Sequence, residues 1–263
     1  MIRTVVSASP REQPFCAHFR LREGVLLIVA EDFSGRLIDL SGEVVAISPS
    51  GARMLEGVLA KDADAVCREL AQIYDVDAAR IRRDLDAFLI SLDQRRLLIP
   101  PGAARRDGRS IGAALSWLAA PLLLACRARP RRLILAKAHV LLAAAFLSTR
   151  LFGWSNTVRV WTSSSRGGRS VRGCRARAEA ETLDAIDANV ARALASHPFG
   201  VSCKERALCC HVLARALGAE SRVLIGVDSF PFALHCWCEC NARILADRVV
   251  GRCDRFTPVV AYS

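Results

Sequence analysis

The sequence predicts an α+β protein of two folded regions joined by a helical, arginine-rich stretch, and three observations carry that prediction. Between Leu21 and Ser48 three short apolar runs are followed by three amphipathic helical patterns. After Gly218 three more strand-like runs follow a capped helix. The charge also divides: residues 1–100 hold 13 Lys+Arg against 15 Asp+Glu, whereas residues 101–263 hold 24 against 11. A chain of 263 residues with 52% hydrophobic content is long enough for about two packed cores. The expected boundaries are 1–102 for the first domain, 103–180 for the connecting region and 181–263 for the second core.

In the first domain, VLLIVAED is an apolar run of strand length, SGRLIDLSG a second closed by Ser41-Gly42, and EVVAIS a third, most simply arranged as a meander. After Ser48-Pro49-Ser50-Gly51 the period becomes helical, with Met54, Leu55, Val58 and Leu59 on one face. Ala63–Tyr74 carries Val66, Leu70 and Ile73, and Ala78–Leu92 carries Ile81, Leu85, Phe88 and Leu89. Pro100-Pro101-Gly102 ends the unit. Three strands and three helices form a small winged-helix-like domain. A DNA reader needs positive charge to neutralise phosphates, and this region is slightly acidic, so no nucleic-acid partner is expected.

The connecting region holds arginine clusters at Arg105, Arg106 and Arg109, at Arg127 to Arg132 and at Arg166 to Arg177. Clustered arginine in loops predicts a solvated surface, with a specific acidic partner as the alternative. Ser110–Cys126 is uncharged but interrupted by Pro121, and Ala138–Thr149 is shorter. Both fall below the ~20 apolar residues that span a bilayer, so helices packed on the second domain are expected, with a membrane-surface hairpin assisted by the neighbouring arginines as the alternative. The eleven cysteines accompany a start, MIRTVVSASPREQPF, without an apolar signal-peptide core, which predicts reduced thiols in the cytoplasm.

The chemistry concentrates near the C-terminus in Cys203, His235 and Asp247, in the chain order of a papain-like site. A thiolate nucleophile needs a base to take its proton, and the base needs an acceptor to orient it. Ser202 and Glu205 have capping-box spacing, so Cys203 is the first residue of a helix that stops at Gly218. The helix N-terminus favours thiolate over thiol there. SRVLIGV, FPFALHCWCEC and RILADRVV then read as strands. Alternation on the middle one puts His235, Trp237 and Glu239 on one face and Cys236, Cys238 and Cys240 on the other.

A zinc site among Cys209, Cys210, His211, Cys236, Cys238, Cys240 and Cys253 is the rival reading. It lacks a C-x-x-C pair, and no metal is expected. If Asn241 centres a three-residue hairpin loop, cross-strand partners place Asp247 opposite His235; a two-residue loop moves it to the other face. Asp254 and Glu239 are the reserve carboxylates.

Two resemblances follow from these runs. I-S-P-S-G-A-R-M-L, Y-D-V-D and D-L-D-A-F-L-I-S-L-D-Q-R-R-L-L-I, within Phe19 to Ile99, resemble the PqqD-like leader-recognition domain of ribosomal peptide maturation. That resemblance implies a leader peptide added as a strand along Glu43, Val44, Val45, Ala46 and Ile47, flanked by Arg82, Leu85 and Asp86, although Leu85 serves equally as a core residue. C-K-E-R-A-L, L-G-A-E-S-R-V-L-I-G-V, L-H-C-W-C-E and I-L-A-D, over Ile186 to Arg248, resemble the transglutaminase-like cysteine peptidase of lasso peptide biosynthesis, the B protein. This implies a papain/transglutaminase-like fold with Cys203, His235 and Asp247 as nucleophile, base and orienting carboxylate. It implies leader cleavage, with a precursor peptide and an asparagine-synthetase-like lasso cyclase as partners; a transglutaminase-like acyl transferase and a non-catalytic leader-binding adaptor are the alternatives. No cofactor is expected, since no Gly-rich P-loop is present and any ATP requirement belongs to the cyclase. The chain departs from the family at Lys204-Glu205, at Cys236 and Cys238, and at Asn241-Ala242, where Asn-Gly or Asp-Gly is common.

Overall fold

The computed structural model describes residues 3–6, 18–102, 133–165, 176–229, 231–245 and 253–263. It divides into two compact units, Met1–Arg106 and Asp107–Ser263.

In the first unit, the chain forms β1 (Arg3–Val6), β2 (Arg20–Leu21), β3 (Val25–Val29), β4 (Gly35–Asp39) and β5 (Val44–Ile47). Then come α1 (Pro49–Ala60), α2 (Ala63–Tyr74), α3 (Ala78–Gln94) and β6 (Leu98–Ile99). The three-strand, three-helix core is the one expected. Each helix begins where a short polar side chain can take up an otherwise unpaired N–H: Ser48 accepts from Gly51 at 3.1 Å, Asp62 from Ala65 at 2.8 Å and Asp77 from Ala79 at 3.1 Å. Two features go beyond what the sequence pattern predicts. β1 joins the antiparallel sheet beside β3 to give the order β1-β3-β4-β5, and β2 pairs with β6. Val25, Leu27, Leu37, Leu55, Val58 and Leu85 form the centre of the core.

The second unit contains α4 (Ile134–Phe152), α5 (Trp154–Ser165), α6 (Ala176–Ala195) and α7 (Cys203–Ala216). The strands β7 (Ser221–Ser229), β8 (Phe232–Cys240), β9 (Arg243–Leu245) and β10 (Thr257–Tyr262) follow, with a short 3-10 turn at Cys253–Arg255. They form one antiparallel sheet in the order β10-β7-β8-β9; β10 is a strand that the sequence pattern does not predict. α7 is the central helix. It packs on β7 and β8 and is also touched by α4, α5 and α6. Its buried residues include the small Ala207, Cys209, Cys210 and Ala214 beside the larger Leu208, His211, Val212 and Leu213.

α4 runs longer than the sequence pattern suggests, because neither Lys137 nor Arg150 interrupts it. At 19 residues it has the length and apolarity to cross a membrane. One face, however, is buried through Ala138, Leu141, Leu142, Ala145 and Ser148, and the helix packs against α6 and α7. The Ser110–Cys126 segment lies outside the described residues.

The β8–β9 turn corrects an expectation. Cys240 pairs with Arg243, Glu239 with Ile244 and Cys238 with Leu245, which leaves a two-residue turn at Asn241-Ala242 rather than a three-residue loop. Both turn residues are left-handed, at φ 49° and 61°, as a type I′ hairpin requires. The right-handed twist of the flanking strands selects this turn even without the usual glycine. Asp247 is therefore no longer tied to His235 by register, and residues 246–252, with Asp247 among them, lie outside the described residues.

Candidate active site

Ser202 caps α7 in the expected way. Its hydroxyl accepts from Lys204 N–H at 3.3 Å, and Glu205 accepts from Ser202 N–H at 2.9 Å. Glu205 is buried, and its other oxygen accepts from Thr149 of α4 at 2.7 Å. The start of the helix is thus fastened to a neighbouring helix as well as to itself. Sequence reasoning misses this second anchor, because no local signal links residues 149 and 205.

Cys203, half-buried on the first turn, is hydrogen-bonded to the His235 side chain and accepts the backbone N–H of Cys236. The hairpin register explains that second bond. In a two-residue hairpin the flanking residues 240 and 243 form a hydrogen-bonded pair, so the N–H groups of Cys240, Cys238 and Cys236 point toward the β9 side. Described β9 ends at Leu245, opposite Cys238. The N–H of Cys236, two residues before Cys238 on the same side of β8, goes to the Cys203 sulfur.

Burial is the largest single influence on the Cys203 thiol, and it raises the pKa. The hydrogen bonds from His235 and from Cys236 N–H, with the positive charges of His235 and Arg206, outweigh it, so the thiol lies below its ordinary value.

The expected alternation on β8 is seen. Cys236 and Cys238 are fully buried, and desolvation raises both thiols well above the ordinary range. On the other face, the His235 ring lies between Trp237, stacked at 6.0 Å, and Phe256, tilted at 5.2 Å. Gly226 pairs with His235 across the β7–β8 ladder. A Cβ there would meet Trp237 Cη2 at 2.6 Å and Phe256 Cβ at 2.9 Å, so only glycine leaves room for this stack. The parity of Trp237 is legible in the sequence. Phe256 comes from a distant turn, and nothing in its neighbourhood announces it.

The reserve carboxylates are placed as follows. Glu239 accepts from Arg222 at 2.7 Å, and Asp254 is exposed in the 3-10 turn. Among the described residues no group of three or more His, Cys, Asp or Glu is arranged to hold a metal ion.

In the first unit, β5 is the outer strand of its sheet. Val44 and Ala46 are exposed, Val45 and Ile47 half-buried, and Glu43 is ion-paired with Arg95 at 3.0 Å. A cleft of about 480 Å³ runs between β5 and α3, with Val45, Ile47, Met54, Phe88 and Leu92 among its apolar walls. The α3 residues expected beside it lie elsewhere. Arg82 bonds Asp86 at 3.0 Å and Asp64 of α2 at 2.5 Å, and Leu85 is fully buried in the core. Asp84, Phe88, Ser91 and Arg95 line the cleft in their place. The helical period is as expected, but its rotation toward β5 depends on how α1 and α2 wedge beneath it.

Comparison with known families agrees with this two-part architecture. Residues 23–98 match the family model for coenzyme PQQ synthesis protein D (PqqD), and residues 146–261 match that for the transglutaminase-like superfamily. No curated protein and no solved structure matches the chain. The chain thus pairs a PqqD-like domain with a transglutaminase-like domain, a combination that fits a lasso peptide biosynthesis protein.

Proposed function

We propose that this protein is a cytoplasmic leader peptidase: its PqqD-like unit binds the leader of a lasso precursor peptide, and Cys203 cleaves the bond at the leader–core junction. The observation that carries the proposal is the Cys203 thiol, lowered in pKa and hydrogen-bonded to His235, in a chain whose other unit has β5 as the outer strand of its described sheet, beside a cleft of mixed apolar and polar lining. An extended leader adds to β5 through backbone pairing, and its apolar side chains enter the cleft.

The Cys203 thiolate attacks the scissile carbonyl carbon. The N–H groups of the first helical turn have no intrahelical acceptor, which makes the Cys203 N–H a suitable donor to the developing oxyanion. As the C–N bond breaks, His235 gives its proton to the departing amine. The core leaves with a free N-terminus and the leader is held as a thioester. Water, deprotonated by His235, then attacks the thioester, releases the leader carboxylate and returns the thiolate. Asp247 orients the imidazole by its resemblance to the family carboxylate, and the freed core passes to an asparagine-synthetase-like cyclase.

Replacing Cys203 tests this directly. Cys203→Ala is expected to reduce cleavage of the cognate precursor by roughly a thousandfold or more while leader affinity, measured with the leader peptide alone, changes less than about twofold. Equal cleavage by the variant overturns the assignment. Mass spectrometry of the products separates a free leader acid from an amine-ligated leader, the mark of acyl transfer.

A further inference from the structure

The face of α4 turned away from α6 and α7 is apolar, and no described element covers it. Leu133, the residue that caps the helix, is 77% exposed, Val140 51%, Leu147 51% and Leu151 71%. At 100° per residue these four fall within an arc of about 40°, whereas Thr149, which holds Glu205, points to the opposite side. Arg150, exposed and about 60° round the helix from Leu147, flanks the stripe near its C-terminal end. Phe199 is stacked on Phe146 at 5.1 Å, and the Arg150 guanidinium lies over the same Phe146 ring at 5.2 Å.

Charge indicates what meets this face. Residues 108–178 contain 13 Lys+Arg and no Asp or Glu across 71 consecutive positions, α4 and α5 included. A second copy of the chain would bring the same positive stretch against itself. An anionic surface is the complementary occupant, and an apolar stripe flanked by arginine suits one that is also apolar a few ångströms down.

We infer that the α4 face seats the second unit on an anionic lipid surface. The helix lies in the headgroup–acyl boundary with Leu133, Val140, Leu147 and Leu151 inserted. It does not span the bilayer, because its other face is committed to α6 and α7. The sequence leaves a membrane-surface placement of this region as the alternative to helices packed on the second domain. The burial pattern favours that alternative, because it shows a continuous apolar side with no described part of the protein over it.

Flotation of the full chain with vesicles tests the inference. Vesicles mixing phosphatidylglycerol with phosphatidylcholine are expected to carry the protein, with binding that falls as salt rises, and pure phosphatidylcholine vesicles to carry roughly tenfold less. The double variant Leu147→Ser, Leu151→Ser alters only exposed positions. It is expected to lose about tenfold or more in binding while Cys203 alkylation and circular dichroism stay as in the parent. Three results would each overturn the inference. They are no flotation with either vesicle, equal flotation with both, and undiminished binding by the variant, which would assign the attraction to charge without the stripe.

Discussion

Cys203 and Cys210 lie seven residues, about two turns, apart on α7, and so project from the same side of one helix. Their thiols shift in opposite directions. Desolvation pushes Cys210 up to about 12, with Asp187 adding to the rise, whereas Cys203 falls below the ordinary thiol despite its own burial. The histidines repeat the contrast. His211, fully buried beside Cys210, bonds Ser221 Oγ through Nδ1 at 3.0 Å and is lowered to about 4 by desolvation, whereas His235 serves the Cys203 sulfur. Burial in the helix–sheet interface thus disfavours the charged form of both the thiol and the imidazole. The lowered thiol lies instead at the helix start, where N–H groups lack acceptors, and takes one further N–H from β8.

Removing the partner of the low-pKa thiol is the strongest way to break this contrast. His235→Gln is expected to slow iodoacetamide alkylation of Cys203 at neutral pH by roughly 10- to 100-fold and to move its pH midpoint up toward the ordinary thiol value, since a hydrogen bond to a charged group contributes about 1.5–3 kcal/mol. Unchanged alkylation would show that the helix start alone activates the thiol.

His211 tests the inert side through pH. Its folded pKa lies below the unfolded value of about 6.5, so the unfolded chain binds the extra proton first. Its contribution to stability is fully present above about pH 6.5 and is lost as pH falls toward 4, on the order of 3 kcal/mol in total. Urea unfolding followed across that window should show the loss, and His211→Gln should flatten it. A variant as pH-sensitive as the parent would point to other groups.

A smaller effect is expected at Gly226. Its replacement by alanine forces Trp237 or Phe256 aside, which costs about 1–3 kcal/mol in thermal or urea stability and disturbs the ring stack around His235. Cleavage should fall with it, by roughly tenfold, while leader affinity holds.

The smallest expected effect sharpens the register of the β8–β9 hairpin. Ala242 sits at φ 61°, where a side chain is strained, so Ala242→Gly should stabilise the protein by about 1 kcal/mol or less without altering cleavage. A destabilised variant would mean that the turn differs from type I′.

Local chemistry is legible in the sequence. The Ser202–Glu205 cap, the stop at Gly218, the bounds of α2 and the two faces of β8 follow from side chains reaching their own backbone and from a strand's strict alternation, both fixed within a few residues. Features that depend on how elements meet are not legible there. The hairpin takes a two-residue turn because strand twist outweighs the missing glycine. α3 turns Phe88 and Arg95 to the cleft and Leu85 to the core because α1 and α2 set its rotation. Thr149 reaches Glu205, and Phe256 reaches His235, across separations that no sequence pattern encodes. Which residues could react is thus written in the chain itself, because caps and parity are local. Which thiol is lowered and which is raised is a product of packing, because desolvation and the bonds that Cys203 takes from His235 and Cys236 belong to the assembled interior.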